Sequence, residues 1–111
     1  MPFLNIYTSE VVVNQKAFLE KSSEFIANLL NKSKRYVMIK LDDSLPMYFS
    51  DTGEPACFIE LRSIGALNPS KMSEKICEFY SKEIGIPTER IYIHFQDVDS
   101  SMWGWNNKTF G

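Results

Sequence analysis

The spacing of apolar residues changes period once within the first third of the chain. "PFLNIYT" (residues 2–8) mixes apolar and β-forming types and reads as a strand, with "EVVVN" leading out of it. Beyond it, Phe18, Ser22, Phe25, Ile26, Leu29 and Leu30 recur at helical spacing. Lys16, Glu20, Lys21, Glu24 and Asn28 take the other side, so the segment predicts an amphipathic helix to about Asn31. Asn14 has the side chain of an N-cap, and Val13 is placed to meet Phe18 as a hydrophobic staple. "RYVMIKLD" follows as a second strand.

After the turn-rich stretch "DSLPMYFSDTGEP" the pattern starts again. "ACFIELRSI" predicts a third strand, Asn68 a cap and Pro69 the first position of a second helix. Met72, Ile76, Cys77, Tyr80 and Ile84 form that helix's apolar stripe, which Gly85 and Pro87 close. "ERIYIHFQ" is the fourth strand. The order is β-α-β, loop, β-α-β, with the second copy displaced by about 56 residues, the scale of one such unit and its connection. Two right-handed units sharing one sheet give an α/β domain with a four-stranded mixed sheet and both helices on one face. The other face stays bare. "YVMIKL" and "RIYIHF" carry apolar residues at both parities, so that face is expected to meet protein, and the domain to self-associate.

Composition narrows the class without naming a chemistry. At 111 residues the chain is expected to form one domain, residues 1–111. A net charge of −2, a pI of about 5.4 and dispersed Lys and Arg argue against a nucleic-acid partner. No run approaches a membrane span and no secretory signal is visible, which predicts a cytoplasmic protein. Cys57 and Cys77 have no metal or redox spacing, and His94 is the single histidine, so no metal and no cofactor are expected.

Pro2 is open to two readings. Proline is tolerated as the first residue of a strand, where its missing N–H costs no ladder bond. If Met1 is removed, it is also a free secondary amine on a rigid element, able to act as a base.

Five stretches, "MPFLNIYT", "NKSKRYV", "GEPACFIELRSIG", "RIYIHF" and "WGWNNKTF", together resemble the macrophage migration inhibitory factor and D-dopachrome tautomerase family. The resemblance implies the two-βαβ fold, assembled as a homotrimer around a central channel. It implies a keto–enol tautomerase of the phenylpyruvate or dopachrome type, an intramolecular oxidoreductase acting on a small α-keto acid or its enol. Met1 is removed and the Pro2 amine is the catalytic base. Lys32 meets the substrate carboxylate beside Ile64, Tyr92 comes from the adjacent subunit, and Trp105 and Phe110 form an aromatic wall. His94 stands where the family has asparagine, a departure that bears on substrate preference. The resemblance also allows a non-catalytic or weakly catalytic, cytokine-like binding protein of the same fold, acting through a receptor or partner and leaving the cell by an unconventional route. Thiol–disulfide exchange, attributed to some relatives, is not expected, because "ACFI" lacks the paired cysteines.

The physical case for each role stands beside its simpler alternative. An apolar pocket lowers an amine's pKa towards neutrality, which suits proton abstraction next to a carbonyl. Taken alone, Lys32 suits a helix C-terminus, Ile64 and Tyr92 suit a core strand, and Trp105 and Phe110 suit packing of the tail. A strand histidine such as His94 is by itself more often structural.

Overall fold

The computed structural model spans Met1–Gly111 and has the expected repeat. β1 (Pro2–Thr8), α1 (Gln15–Leu30) and β2 (Met38–Asp42) form the first unit; β3 (Cys57–Ser63), α2 (Pro69–Tyr80) and β4 (Ile91–Asp97) form the second. A short hairpin, β5 (Gly104–Trp105) and β6 (Lys108–Thr109), ends the chain. The sheet order is β2-β1-β3-β4. β1 pairs parallel with β2, and β3 parallel with β4, while β1 and β3 run antiparallel and join the halves.

Alternation along the strands decides which face is covered. Leu4 and Ile6 of β1, with Ile59 and Leu61 of β3, point to the helical side and are fully buried. Phe18, Ile26 and Leu30 of α1 and Met72, Ile76 and Tyr80 of α2 close over them as one core. Phe25 and Phe79 stack at 4.0 Å between ring centroids and tie the helices together. The opposite face carries Met38, Phe3, Arg62 and Gln96 in one cross-strand row, Lys40, Asn5, Glu60 and His94 in the next, and Asp42, Tyr7, Phe58 and Tyr92 in the third. Met38 and Tyr92 are 64% and 62% exposed there, so this face lacks a covering layer within the chain. No helix is long and apolar enough to cross a membrane.

Several boundaries differ from the sequence expectation. β2 begins at Met38 because Lys34–Tyr36 form a 3-10 turn, and β4 begins at Ile91 because Thr88–Arg90 form another. The approach to the second strand is thus repeated in both halves. Asn14 caps α1 as expected, its Oδ1 accepting the Ala17 N–H at 3.2 Å. The staple is not formed: Val13 is 93% exposed. Val12 packs on the core instead, and its N–H donates to Asp43 Oδ2 at 2.9 Å, which fixes the entry of the chain in its place. Asn68 makes no side-chain cap; its carbonyl accepts from the Lys71 and Met72 N–H groups. After Tyr80 the second helix widens into a π-turn, Ser81–Gly85, and Gly85 ends it at φ +83°.

The end of α1 fixes the position of Lys32. Asn31 adopts the left-handed conformation, φ 53°, and the next N–H, of Lys32, donates to the Ala27 carbonyl at 2.9 Å. This turn sends the lysine out of the helix at a fixed point. Asn31→Gly is therefore expected to be nearly neutral, and Asn31→Val to cost about 1–2 kcal/mol in urea unfolding, since a β-branched residue resists positive φ. Equal stability of the two variants would contradict that account.

Candidate active site

The β1–β3 pairing places Pro2 opposite Ser63, and Pro2 is fully buried at the end of the sheet. Ile64 follows Ser63 out of β3. The Lys32 ammonium, directed by the Asn31 turn, donates to the Ile64 carbonyl at 3.0 Å. It also reaches the start of the chain: the α-amino group of Met1 is lowered from its ordinary value first by burial, then by the charge of Lys32 and by a hydrogen bond with its side chain. The structure thus brings Pro2, Lys32 and Ile64 together from three separate elements.

A cavity of about 750 Å³ opens in front of Met1, Pro2 and Phe3, a volume suited to a small molecule. Lys32 and Ile64 do not line it; Lys32 meets it through the amino group of Met1, a residue that does. Trp105 and Phe110 do line it, and they are brought there by the terminal hairpin. Asn106 and Asn107, at φ 51° and 68°, form its two-residue turn, a conformation that asparagine tolerates well. The turn sets the two aromatic residues on the same wall, stacked at 5.8 Å with planes 9° apart. Tyr36 meets Trp105 edge-on at 5.9 Å and extends the wall.

Tyr36 was not among the sequence candidates, and neither were Phe3, Met38 or Arg35, which also border the cavity. Tyr36 lies inside "NKSKRYV", a stretch that carries the resemblance, so a signal for it existed. For Phe3 the signal was adjacency to Pro2.

Tyr92 and His94 are not brought to Pro2 within one chain. Pro2 lies across from Ser63, which pairs with Asp97, whereas Tyr92 and His94 pair with Phe58 and Glu60 further along. At ~3.3 Å per residue they stand roughly 17 and 10 Å along the strand from that end. Both are exposed on the bare face, and Tyr92 leans edge-on against Phe49 at 4.6 Å.

The cysteines lie apart from this chemistry. Burial pushes the Cys57 thiol up to about 12 and raises that of Cys77, so both remain thiols near neutral pH rather than nucleophilic thiolates. No cluster of three or more His, Cys, Asp or Glu side chains has the arrangement of a metal site.

Comparison with known proteins matches the fold over nearly the whole chain. The solved structure of a macrophage migration inhibitory factor homologue from Prochlorococcus marinus is 42% identical, covers 98% of this chain and 99% of its own, and superposes with a TM-score of 0.92. The factor from Trichinella spiralis is 31% identical in its solved structure, over 97% of this chain and 99% of its own, with a TM-score of 0.90. A homologue from Brugia malayi is 34% identical over the full length of both chains. The family model described as macrophage migration inhibitory factor matches residues 1–111, and the chain belongs to that family.

Proposed function

We propose that this protein is a homotrimeric keto–enol tautomerase in which Pro2, freed of Met1, is the catalytic base. The observation that carries the proposal is the placement of Pro2, which lines an aromatic-walled cavity opposite Ser63 and next to the Lys32–Ile64 hydrogen bond; the Met1 amine that precedes it has its pKa lowered by burial and by Lys32. An amine whose pKa is lowered spends more of its time in the neutral form, which can accept a proton from the carbon next to a keto group. The C–H electron pair becomes the enol double bond and the carbonyl oxygen takes a proton; ketonisation runs the same steps in reverse. Lys32 supplies a point charge for the substrate carboxylate, and the aromatic residues limit water at the reacting carbon.

A trimer supplies what one chain lacks. Covering the bare sheet face with a second copy would carry Tyr92 and His94 into a neighbour's cavity, where either side chain can donate a hydrogen bond to the substrate. The same face holds Asn5, 6% exposed, whose Oδ1 has no partner within the chain. A polar neighbour across a subunit boundary would satisfy it.

The test combines N-terminal mass with a phenylpyruvate tautomerase assay. Protein shown to lack Met1 is expected to have a kcat/KM that rises with pH through an ionisation below the ordinary α-amino value of about 8. Lys32→Met removes a positive charge that disfavours protonation of the amine. The acid limb should therefore move to higher pH in that variant. Processed wild type no faster than buffer, or a limb that stays in place or moves down in Lys32→Met, would defeat the reading. In the first case, a binding protein with an inactive pocket becomes the better account.

A further inference from the structure

The charge around the cavity is one-sided. Arg35 and Arg62 are the charged side chains that line it, and no Asp or Glu does, in a chain with 14 acidic and 12 basic residues. Glu60, two residues before Arg62, is the carboxylate that reaches a guanidinium; Asp97 and Asp99, beside lining residues, are engaged elsewhere. Asp97 Oδ1 accepts the Gly65 N–H at 2.9 Å; Asp99 Oδ1 accepts the Ser101 N–H at 2.9 Å and its hydroxyl at 2.7 Å. Both therefore serve turns rather than neutralise the guanidiniums.

Each guanidinium also lies over an aromatic ring of the cavity wall. Arg35 lies 5.6 Å from the centre of the Tyr36 ring and Arg62 5.8 Å from that of Phe3. Cation–π attraction holds each guanidinium near its ring, and the planar group can still offer paired N–H donors to a carboxylate. Arg35 forms no ion pair. Arg62 meets Glu60 through one terminal nitrogen at 3.4 Å, a long contact that occupies one of its five donors. Lys32 is a separate cation, committed to the Ile64 carbonyl beside the chain start.

We infer that the cavity is built for keto acids that carry a second anionic group at the end remote from the keto carbon. The keto-acid carboxylate sits at Lys32, and the remote carboxylate is met by Arg35 and Arg62. A monoanionic aromatic keto acid still fits, because the guanidiniums then stay solvated at the rim, but it forgoes those contacts. This inference rests on the tautomerase reading for its turnover and on the two arginines alone for its binding.

The experiment compares phenylpyruvate with 4-carboxyphenylpyruvate, which differ by one carboxylate on the ring. For wild type, kcat/KM is expected to favour the diacid by about tenfold or more, chiefly through KM, and the preference should shrink as salt screens the contact. The double variant Arg35→Gln, Arg62→Gln should lower the diacid-to-monoacid ratio by about tenfold, with either single variant in between. A wild-type ratio at or below one, or a ratio unmoved by the double substitution, overturns the inference. Calorimetric titration of both compounds into wild type and the double variant reads the subsite even without turnover. If neither compound is turned over but the diacid binds tighter, and only with the arginines present, the tautomerase reading fails and the subsite stands. Equal affinities would remove the subsite itself.

Discussion

Pro2→Gly is expected to lower kcat/KM for enol–keto interconversion by about 10²-fold or more, the lower range of what a positioned acid–base group contributes. The variant still permits removal of Met1 and still begins with an amine, so the loss reports the quality of the base rather than its absence. Glycine replaces a secondary amine with a primary one and removes the pyrrolidine ring that carries the nitrogen. Pro2 is fully buried against β3, so its ring also fixes where the nitrogen points. Circular dichroism and assembly state should match wild type, which separates a chemical defect from a folding one. A variant as active as wild type would remove the proline from the mechanism, whatever the state of Met1.

Arg90→Ala is expected to cost roughly 3–5 kcal/mol of stability, because two hydrogen bonds to a charged group are lost and two carbonyls are left unpaired. Arg90 is 8% exposed and has no carboxylate partner. Its Nε donates to the Pro55 carbonyl at 2.7 Å and a terminal nitrogen to the Glu54 carbonyl at 3.0 Å. The guanidinium lies 5.2 Å from the Phe49 ring centre, and Phe49 in turn bears on Tyr92. One side chain therefore pins the end of the loop that leads into β3 and the aromatic residue at the loop's middle. Thermal unfolding at fixed protein concentration should show a drop of roughly 15 °C in Tm, with Arg90→Lys in between because it reaches one carbonyl. If Arg90→Ala stays within about 1 kcal/mol of wild type, the loop is held by something else. In the proposed trimer the same variant should raise KM more than it lowers kcat, since Tyr92 loses its support.

The elements of the fold were legible because the period of apolar residues changes cleanly twice, and Asn14, Pro69 and Gly85 punctuate it. What was not legible depends on contacts distant in sequence. Among three consecutive valines the capping pattern pointed to Val13 as the inward one; Asp43, distant in sequence, decides in favour of Val12. Tyr36 and Val37 have strand composition, so the 3-10 turn before β2 is invisible to pattern alone. In the site, neither Lys32 nor Ile64 has a local pattern distinct from a helix end or a strand residue, and their roles were readable only through family resemblance. Nothing in the sequence sets Arg35 and Arg62 apart from the other dispersed basic residues. Only the fold shows that both flank the same opening.

The antiparallel seam between β1 and β3 has a consequence for the number of sites. It is the contact that a twofold axis would generate between two identical βαβ halves, each offering its first strand to the other. An assembly of two separate halves would therefore have two chain starts at equivalent places, and so two terminal amines. Here the second strand of that pair begins at Cys57, in the middle of the polypeptide, with its nitrogen committed to a peptide bond. Fusion of the halves leaves a pseudosymmetric body with one reactive end, so a trimer of this chain would hold three proline sites and no more.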